Sequence, residues 1–321
     1  MENFLKAQIE YLLILQNFRE ATHGIFDWFF YHITLLGEYC FAMLFIALFY
    51  WMINKKYGIY LIWNFFGAIL VNQFLKITAC IYRPWILDTR IHPLQQAMKH
   101  ATGYSFPSGH TAIATGTFGA LATKLWTNKI ARYSLIVIVL LVGFSRNYLG
   151  VHTPQDVIVS LVVGSVLLFL TTKILKWIEN GKNRDILVFG IILILSILLI
   201  VYTELKHYPI DYLNGTILVE PEKMRYESFP KTGFAIGAFF GWLLERRFIN
   251  FEHPKGSIWS KTIIYLIGAA ILYFIQEHLT SLFLIFMPVA VGRFLSCFVI
   301  SLFITTIYPL VINIYNKKFN D

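Results

Sequence analysis

Charge is scarce in this chain. Of its 321 residues only 14% are Asp, Glu, Lys or Arg, where a soluble domain of this size carries about 25%. That shortage excludes an ordinary water-soluble protein. Cysteine is nearly missing too: Cys40, Cys80 and Cys297 each sit alone in an apolar run. A cysteine so placed behaves as a small hydrophobe, which leaves no basis for a disulfide framework or a thiolate metal site. The first twenty residues, MENFLKAQIEYLLILQNFRE, lack a basic leader and a small-residue cleavage site. They read as an amphipathic helix on a membrane surface, not as a cleaved signal peptide. Also absent is a basic stripe interleaved with stacking aromatics outside the apolar runs. The net charge of +9 is therefore no sign of nucleic-acid binding.

What is present is apolar: 57% of residues are hydrophobic and 17% aromatic. Windows of about 20 nearly uncharged residues are the mark of membrane-spanning helices. Nine such segments follow from the charged punctuation, at about 33–53, 57–81, 108–126, 133–144, 153–176, 186–202, 232–244, 258–275 and 283–314. The expected fold is all-α, a polytopic membrane helical bundle of about nine transmembrane helices. It divides into an interfacial segment at 1–30, a core at 31–180 and the remaining spans at 181–321, with an outer loop at 203–231. Gly233, Gly237 and Gly241 recur at intervals of four, a small-residue face suited to close helix packing.

Most basic residues fall at alternate loop ends, among them Lys55, Lys56, Lys129, Arg132, Lys173, Lys176, Arg246, Arg247, Lys317 and Lys318. Basic loops stay cytoplasmic. This expectation puts the C-terminus inside and the N-terminus outside, as in a bacterial plasma membrane protein. The segment ends that carry Arg83, Ser108, Arg146 and His152 then all fall on the outer side.

Those ends hold Lys76, Arg83, His110, Arg146, His152 and Asp156, with Ser108 and Gly109 beside them. Charges at membrane depth are kept mostly for function or for pairing, and one carboxylate does not balance three cations. An anionic ligand fits, and phosphate suits it. Lys76 and Arg83 are seven apart, two turns along one helical face, and Pro84 would end that helix. Ser108 and Gly109 would open a helix and turn its backbone N–H groups toward an anion. Arg146 offers a planar fork for phosphate oxygens. His152 and Asp156 are four apart, so the carboxylate can hold Nδ1–H and leave Nε2 as a nucleophile. His152 would attack phosphorus, His110 would protonate the leaving oxygen, and water would hydrolyse the phosphohistidine. Neither a metal nor another cofactor is required. A blander assignment competes, since Thr153-Pro154-Gln155-Asp156 also reads as a capping box. Arg293 and the pair Glu277-His278 find no role, with Glu38 a candidate partner for Arg293.

Taken jointly, Lys76-x6-Arg83-Pro84, Pro107-Ser108-Gly109-His110 and Ser145-Arg146-x5-His152-x3-Asp156 resemble the three motifs of the type 2 phosphatidic acid phosphatase superfamily. The resemblance covers about residues 30–176. It implies a six-helix membrane core, completed here by the sixth span, with a nucleophile at His152 and an acid/base at His110. It also implies metal-independent chemistry and phosphate binding by Lys76, Arg83, Ser108, Gly109 and Arg146. The nine-span layout is similar to the glucose-6-phosphatase branch. The expected substrate is a lipid phosphate or pyrophosphate drawn from the bilayer: phosphatidic acid, undecaprenyl pyrophosphate or a sphingoid phosphate. A small soluble phosphate such as a sugar phosphate is the first alternative. A lipid transporter or scaffold that keeps the motifs without turnover is the second.

Overall fold

The computed structural model describes residues 2–99, 101–213 and 215–317, so Lys318 lies outside the described residues. The chain is a polytopic helical membrane protein. Its helices are α1 (Glu2–Ala21), α2 (Asp27–Leu35), α3 (Tyr39–Leu48), α4 (Lys55–Ala79), α5 (Pro84–Leu87), α6 (Gln95–Lys99), α7 (Gly109–Ala114) and α8 (Ala120–Ala122). They continue as α9 (Lys129–Tyr148), α10 (Pro154–Glu179), α11 (Arg184–Leu205), α12 (Pro221–Tyr226) and α13 (Ser228–Leu244). The last three are α14 (Ile258–Phe286), α15 (Val289–Leu302) and α16 (Tyr308–Lys317). One antiparallel pair of short strands, β1 (Tyr212–Leu213) and β2 (Thr216–Ile217), stands in the loop after α11.

Local chemistry marks the helix starts. Proline opens α5, α10 and α12, where its missing N–H costs nothing and its fixed φ suits the first turn. Asn128 caps α9 by accepting from the Ala131 N–H at 3.0 Å, and Ser257 caps α14 by accepting from Ser260 at 3.2 Å. Six helices among the described residues are long and apolar enough to cross a membrane. The pair α2 and α3 with its π-helical continuation, bent by 54°, makes a seventh if counted as one span. Two of the nine apolar segments fall short of that test. One is broken into α7, a π turn at Thr115–Gly119 and α8. The other, α13, has 17 residues before a π turn at Glu245–Ile249.

The chain forms two compact units. The first comprises Met1–Ala42, Val71–Leu167 and Lys206–Met224. Within it α1 buries Ile9 and Leu12 against Ile91, Trp85 and Leu87. Gln8 exchanges hydrogen bonds with Gln155, and the Gln16 carboxamide does so with the backbone of Arg90 and His92. One face of the amphipathic helix is thus taken up by protein, while Phe4, Ile14 and Phe18 are exposed. Tyr148, Leu149 and Val151 form a second cluster with Ala97, Ala101 and Phe30.

The second unit comprises Met43–Leu70, Leu168–Leu205 and Arg225–Asp321. Here Gly233, Gly237 and Gly241 face α15 and the turn after it. A Cβ on any of them would collide with the Phe294 carbonyl, the Phe298 carbonyl or the Thr305 hydroxyl. Glu245, 1% exposed, pairs with Lys55 at 2.5 Å, and Arg247 pairs with Asp185 at 2.5 Å.

Candidate active site

Every residue predicted for the site lies in the first unit. All but Gly109 and His110, which are partly covered, are buried. Their convergence rests on one loop, Thr102–Pro107, and on the helix ends around it. The helix α4 stops at Ala79, because Cys80 takes a left-handed backbone conformation at φ 49°. Arg83 therefore lies beyond the helix, in extended backbone, and Pro84 begins α5 instead of ending α4. The sequence-based expectation that Lys76 and Arg83 share a helical face is corrected accordingly. They meet through the loop. Lys76 Nζ donates to the carbonyls of Tyr104 at 2.8 Å and of Ser105 and Pro107 at 3.2 Å each. Arg83 donates to the carbonyls of Thr102 at 3.0 Å, Gly103 at 3.1 Å and Val151 at 2.9 Å. Two buried cations thus hold opposite halves of one loop.

His152 sits between α9 and α10, with its ring held from both sides. Its Nδ1 is 3.1 Å from Asp156 Oδ2. A carboxylate only accepts, so Nδ1 carries the proton and Nε2 carries the lone pair. Arg83 Nη1 lies 2.9 Å from that Nε2. Burial first, then the charges of Arg83, Arg146 and Lys76, hold the His152 imidazole well below its ordinary pKa. That shift favours the neutral ring.

Asp156 Oδ2 gathers three donors: His152 Nδ1–H, the Thr153 backbone N–H at 2.9 Å and the Ser105 hydroxyl at 2.5 Å. The Asp156 N–H returns to Thr153 Oγ1 at 3.4 Å. The capping box is therefore real, and the same carboxylate orients the histidine. The two assignments that compete in the sequence are one set of contacts.

Ser108 caps α7, its hydroxyl accepting from the Thr111 N–H at 3.4 Å. Its own N–H, expected to face an anion, donates instead to the Asp156 carbonyl at 3.1 Å. The Ser160 hydroxyl donates to the Ser108 carbonyl at 2.8 Å and to the Asp156 carbonyl at 2.9 Å, so the start of α7 is pinned to α10. At Gly109 a Cβ would meet only Asn72 Oδ1, at 3.9 Å, which leaves this turn open to approach. Arg146 is 1% exposed. Its Nη1 donates to Thr34 Oγ1 at 2.7 Å, while its Nε has no hydrogen-bond partner among the described residues. Among the described residues His110 Nε2 is likewise buried with no hydrogen-bond partner, and Glu38 Oε1 lies 3.8 Å from it.

Sequence reasoning missed Ser105, Thr34 and Glu38 as neighbours of the site. Ser105 stands in the same short run as Ser108, but nothing in its spacing marks it. Glu38 carries a signal, a carboxylate inside an apolar window, and was read as a candidate partner for Arg293. It is found beside His110. Among the described residues no three His, Cys, Asp or Glu side chains gather as a metal site.

Comparison with known proteins points to one family. The family model described as PAP2 superfamily matches residues 57–180. A second, described as PAP2 superfamily phosphatase, transmembrane extension, matches residues 229–317. An undecaprenyl-diphosphatase of Sulfolobus acidocaldarius is 34% identical over 38% of this chain and 56% of its own length. A probable sphingosine-1-phosphate phosphatase of Dictyostelium discoideum is 27% identical over 78% of this chain and 59% of its own. Glucose-6-phosphatase 3 of Bos taurus is 28% identical over 54% of each. The chain thus spans a little over half the length of these relatives. No solved structure matches it.

Proposed function

The chain belongs to the PAP2 superfamily, and on that premise we propose that it is a membrane phosphatase acting through a phosphohistidine on a lipid phosphate or pyrophosphate. One observation carries the reading. A neutral His152 is clamped between Asp156 and Arg83, while Arg146 Nε and His110 Nε2 are buried nearby without hydrogen-bond partners.

In the first step a phosphate oxygen accepts the Arg83 Nη1 hydrogen bond in place of His152 Nε2 and so frees that nitrogen. That nitrogen attacks phosphorus as the bond to the leaving oxygen breaks. His110 gives its Nε2 proton to that oxygen. The N–P bond is then broken by water, whose proton returns to His110. Arg83 and Arg146 hold the equatorial oxygens through both steps, in a pocket whose burial strengthens each charge–charge contact. Lys76, with its hydrogens on three carbonyls, contributes charge and a fixed loop. Ser108 and Gly109 shape the turn that the phosphate approaches. The positive side chains supply the electrostatic stabilisation that a metal gives elsewhere.

An apolar, membrane-embedded surround suits a ligand whose tail stays in lipid. The names of the undecaprenyl-diphosphatase and sphingosine-1-phosphate phosphatase relatives support that class. The glucose-6-phosphatase 3 relative supports a second reading, a sugar phosphate taken from water. Purified protein given a panel of lipid monophosphates, lipid pyrophosphates and glucose 6-phosphate in EDTA separates these. We expect phosphate release from a lipid substrate, and a loss of at least about a thousandfold in His152→Ala. Full activity in that variant, or strict dependence on added Mg²⁺, would overturn the mechanism.

A further inference from the structure

Between α2 and α3 the chain breaks at Leu36-Gly37-Glu38 and turns by 54°. These residues precede the stretch matched by the PAP2 model, which starts at residue 57. The break nonetheless presses on the site. A Cβ at Gly37 would fall 2.8 Å from the His110 carbonyl oxygen and 2.9 Å from the His110 Cβ, so only glycine lets the chain come this close. Glu38, next along, places Oε1 at 3.8 Å from His110 Nε2. Four residues earlier Thr34 accepts the Arg146 hydrogen bond. One short segment therefore supports both site groups, Arg146 and His110, that carry a buried nitrogen with no hydrogen-bond partner among the described residues.

His110 needs such support. The charged groups that act on it are Glu38 from the break, Arg146 from α9 and Arg83 from the extended segment after α4, and His152 shares the same pocket. Burial first, and then the two guanidinium groups, disfavour a protonated imidazole, yet a general acid must hold a proton when the leaving oxygen departs. A carboxylate at 3.8 Å is too far for a hydrogen bond but close enough to favour the charged ring.

We infer that Glu38 is a positioning residue of the phosphatase reaction, holding His110 protonated at Nε2 until the leaving oxygen takes the proton. The inference rests on the assignment of His110 as the acid. When the P–O bond breaks, the Nε2 proton passes to oxygen and the imidazole becomes neutral beside the carboxylate. When water attacks the phosphohistidine, its proton restores the imidazolium. Glu38 exchanges no proton in either step.

The test is Glu38→Gln in the full chain, with His110→Ala alongside, on an alkyl lipid phosphate and on p-nitrophenyl phosphate. The alkoxide leaves poorly and needs the acid, whereas the nitrophenolate leaves without it. In Glu38→Gln we expect turnover of the alkyl ester to fall about tenfold or more, with the aryl ester changed less than about twofold. Removing the carboxylate also makes the imidazolium harder to form, so the alkaline limb of kcat/KM moves to lower pH. Equal losses on both substrates, or an unmoved alkaline limb, would overturn the role of Glu38. If His110→Ala itself shows no preference for the better leaving group, the acid assignment fails and the inference falls with it. Leaving-group dependence in His110→Ala but not in Glu38→Gln defeats the Glu38 inference alone.

Discussion

A single oxygen of Asp156 accepts hydrogen bonds from His152, Ser105 and the Thr153 backbone. Removing one donor alters how firmly that oxygen holds the imidazole. Ser105 is the informative choice, because its hydroxyl touches Asp156 and lies 3.3 Å from His152 Nδ1, the nitrogen opposite the attacking one. A hydrogen bond to a charged group contributes about 1.5–3 kcal/mol. Ser105→Ala is therefore expected to slow phosphoenzyme formation at least about tenfold with KM nearly unchanged. Rapid-quench trapping of the phosphorylated protein measures this, and a rise in KM at constant turnover would contradict it. The i, i+4 spacing of His152 and Asp156 was legible because helical periodicity is local. The meeting of Lys76 with Arg83 was legible only in outcome. No rule of spacing announces that Cys80 turns left-handed, or that Lys76 spends its hydrogens on three carbonyls of a distant loop. Likewise the N–H of Ser108, a natural anion donor in sequence, is consumed by a carbonyl from α10.

At the scale of the element, apolar periodicity found the helices but not the breaks inside them. A π turn or a 54° bend arises when packing overrides regular hydrogen bonding, and the apolar count on either side does not change. The glycine face of α13 was legible because it is defined by what it lacks, and the structure shows what fills the space. At Gly237 a Cβ would run into the Phe298 carbonyl and the Ser301 hydroxyl. The backbone of one of those contacts cannot rotate away. Gly237→Val is expected to lower stability by about 1–3 kcal/mol or more. Gly190, in α11, has nothing within 4 Å of its would-be Cβ. Gly190→Ala should be neutral or stabilising by up to about 1 kcal/mol, since alanine loses less backbone entropy in a helix. Thermal unfolding of both variants in the same detergent decides the matter. A Gly190→Ala protein less stable than Gly237→Val would refute the packing argument.

For the whole molecule the question is which side of the membrane the site faces. Arg83 follows the end of α4, His110 begins α7, Arg146 ends α9 and His152 precedes α10. Successive spans alternate direction, so an end, a start, an end and a start fall on one side if each segment crosses. Counting the bent pair as one gives seven spans, and adding the two short segments gives nine. Both numbers are odd, so on either count we expect the termini on opposite sides. Basic residues such as Lys55, Lys56, Lys129, Arg132, Arg246 and Arg247 bias their own side to the cytoplasm. We therefore propose that the site opens to the exterior, with the exposed Thr89 in the loop beside it. In a background where Cys40, Cys80 and Cys297 are replaced by serine, Thr89→Cys should react with a membrane-impermeant maleimide added to intact cells. A cysteine at Lys129, also exposed, should react only after permeabilisation. The reverse pattern would invert the topology and put the phosphatase chemistry on the cytoplasmic face.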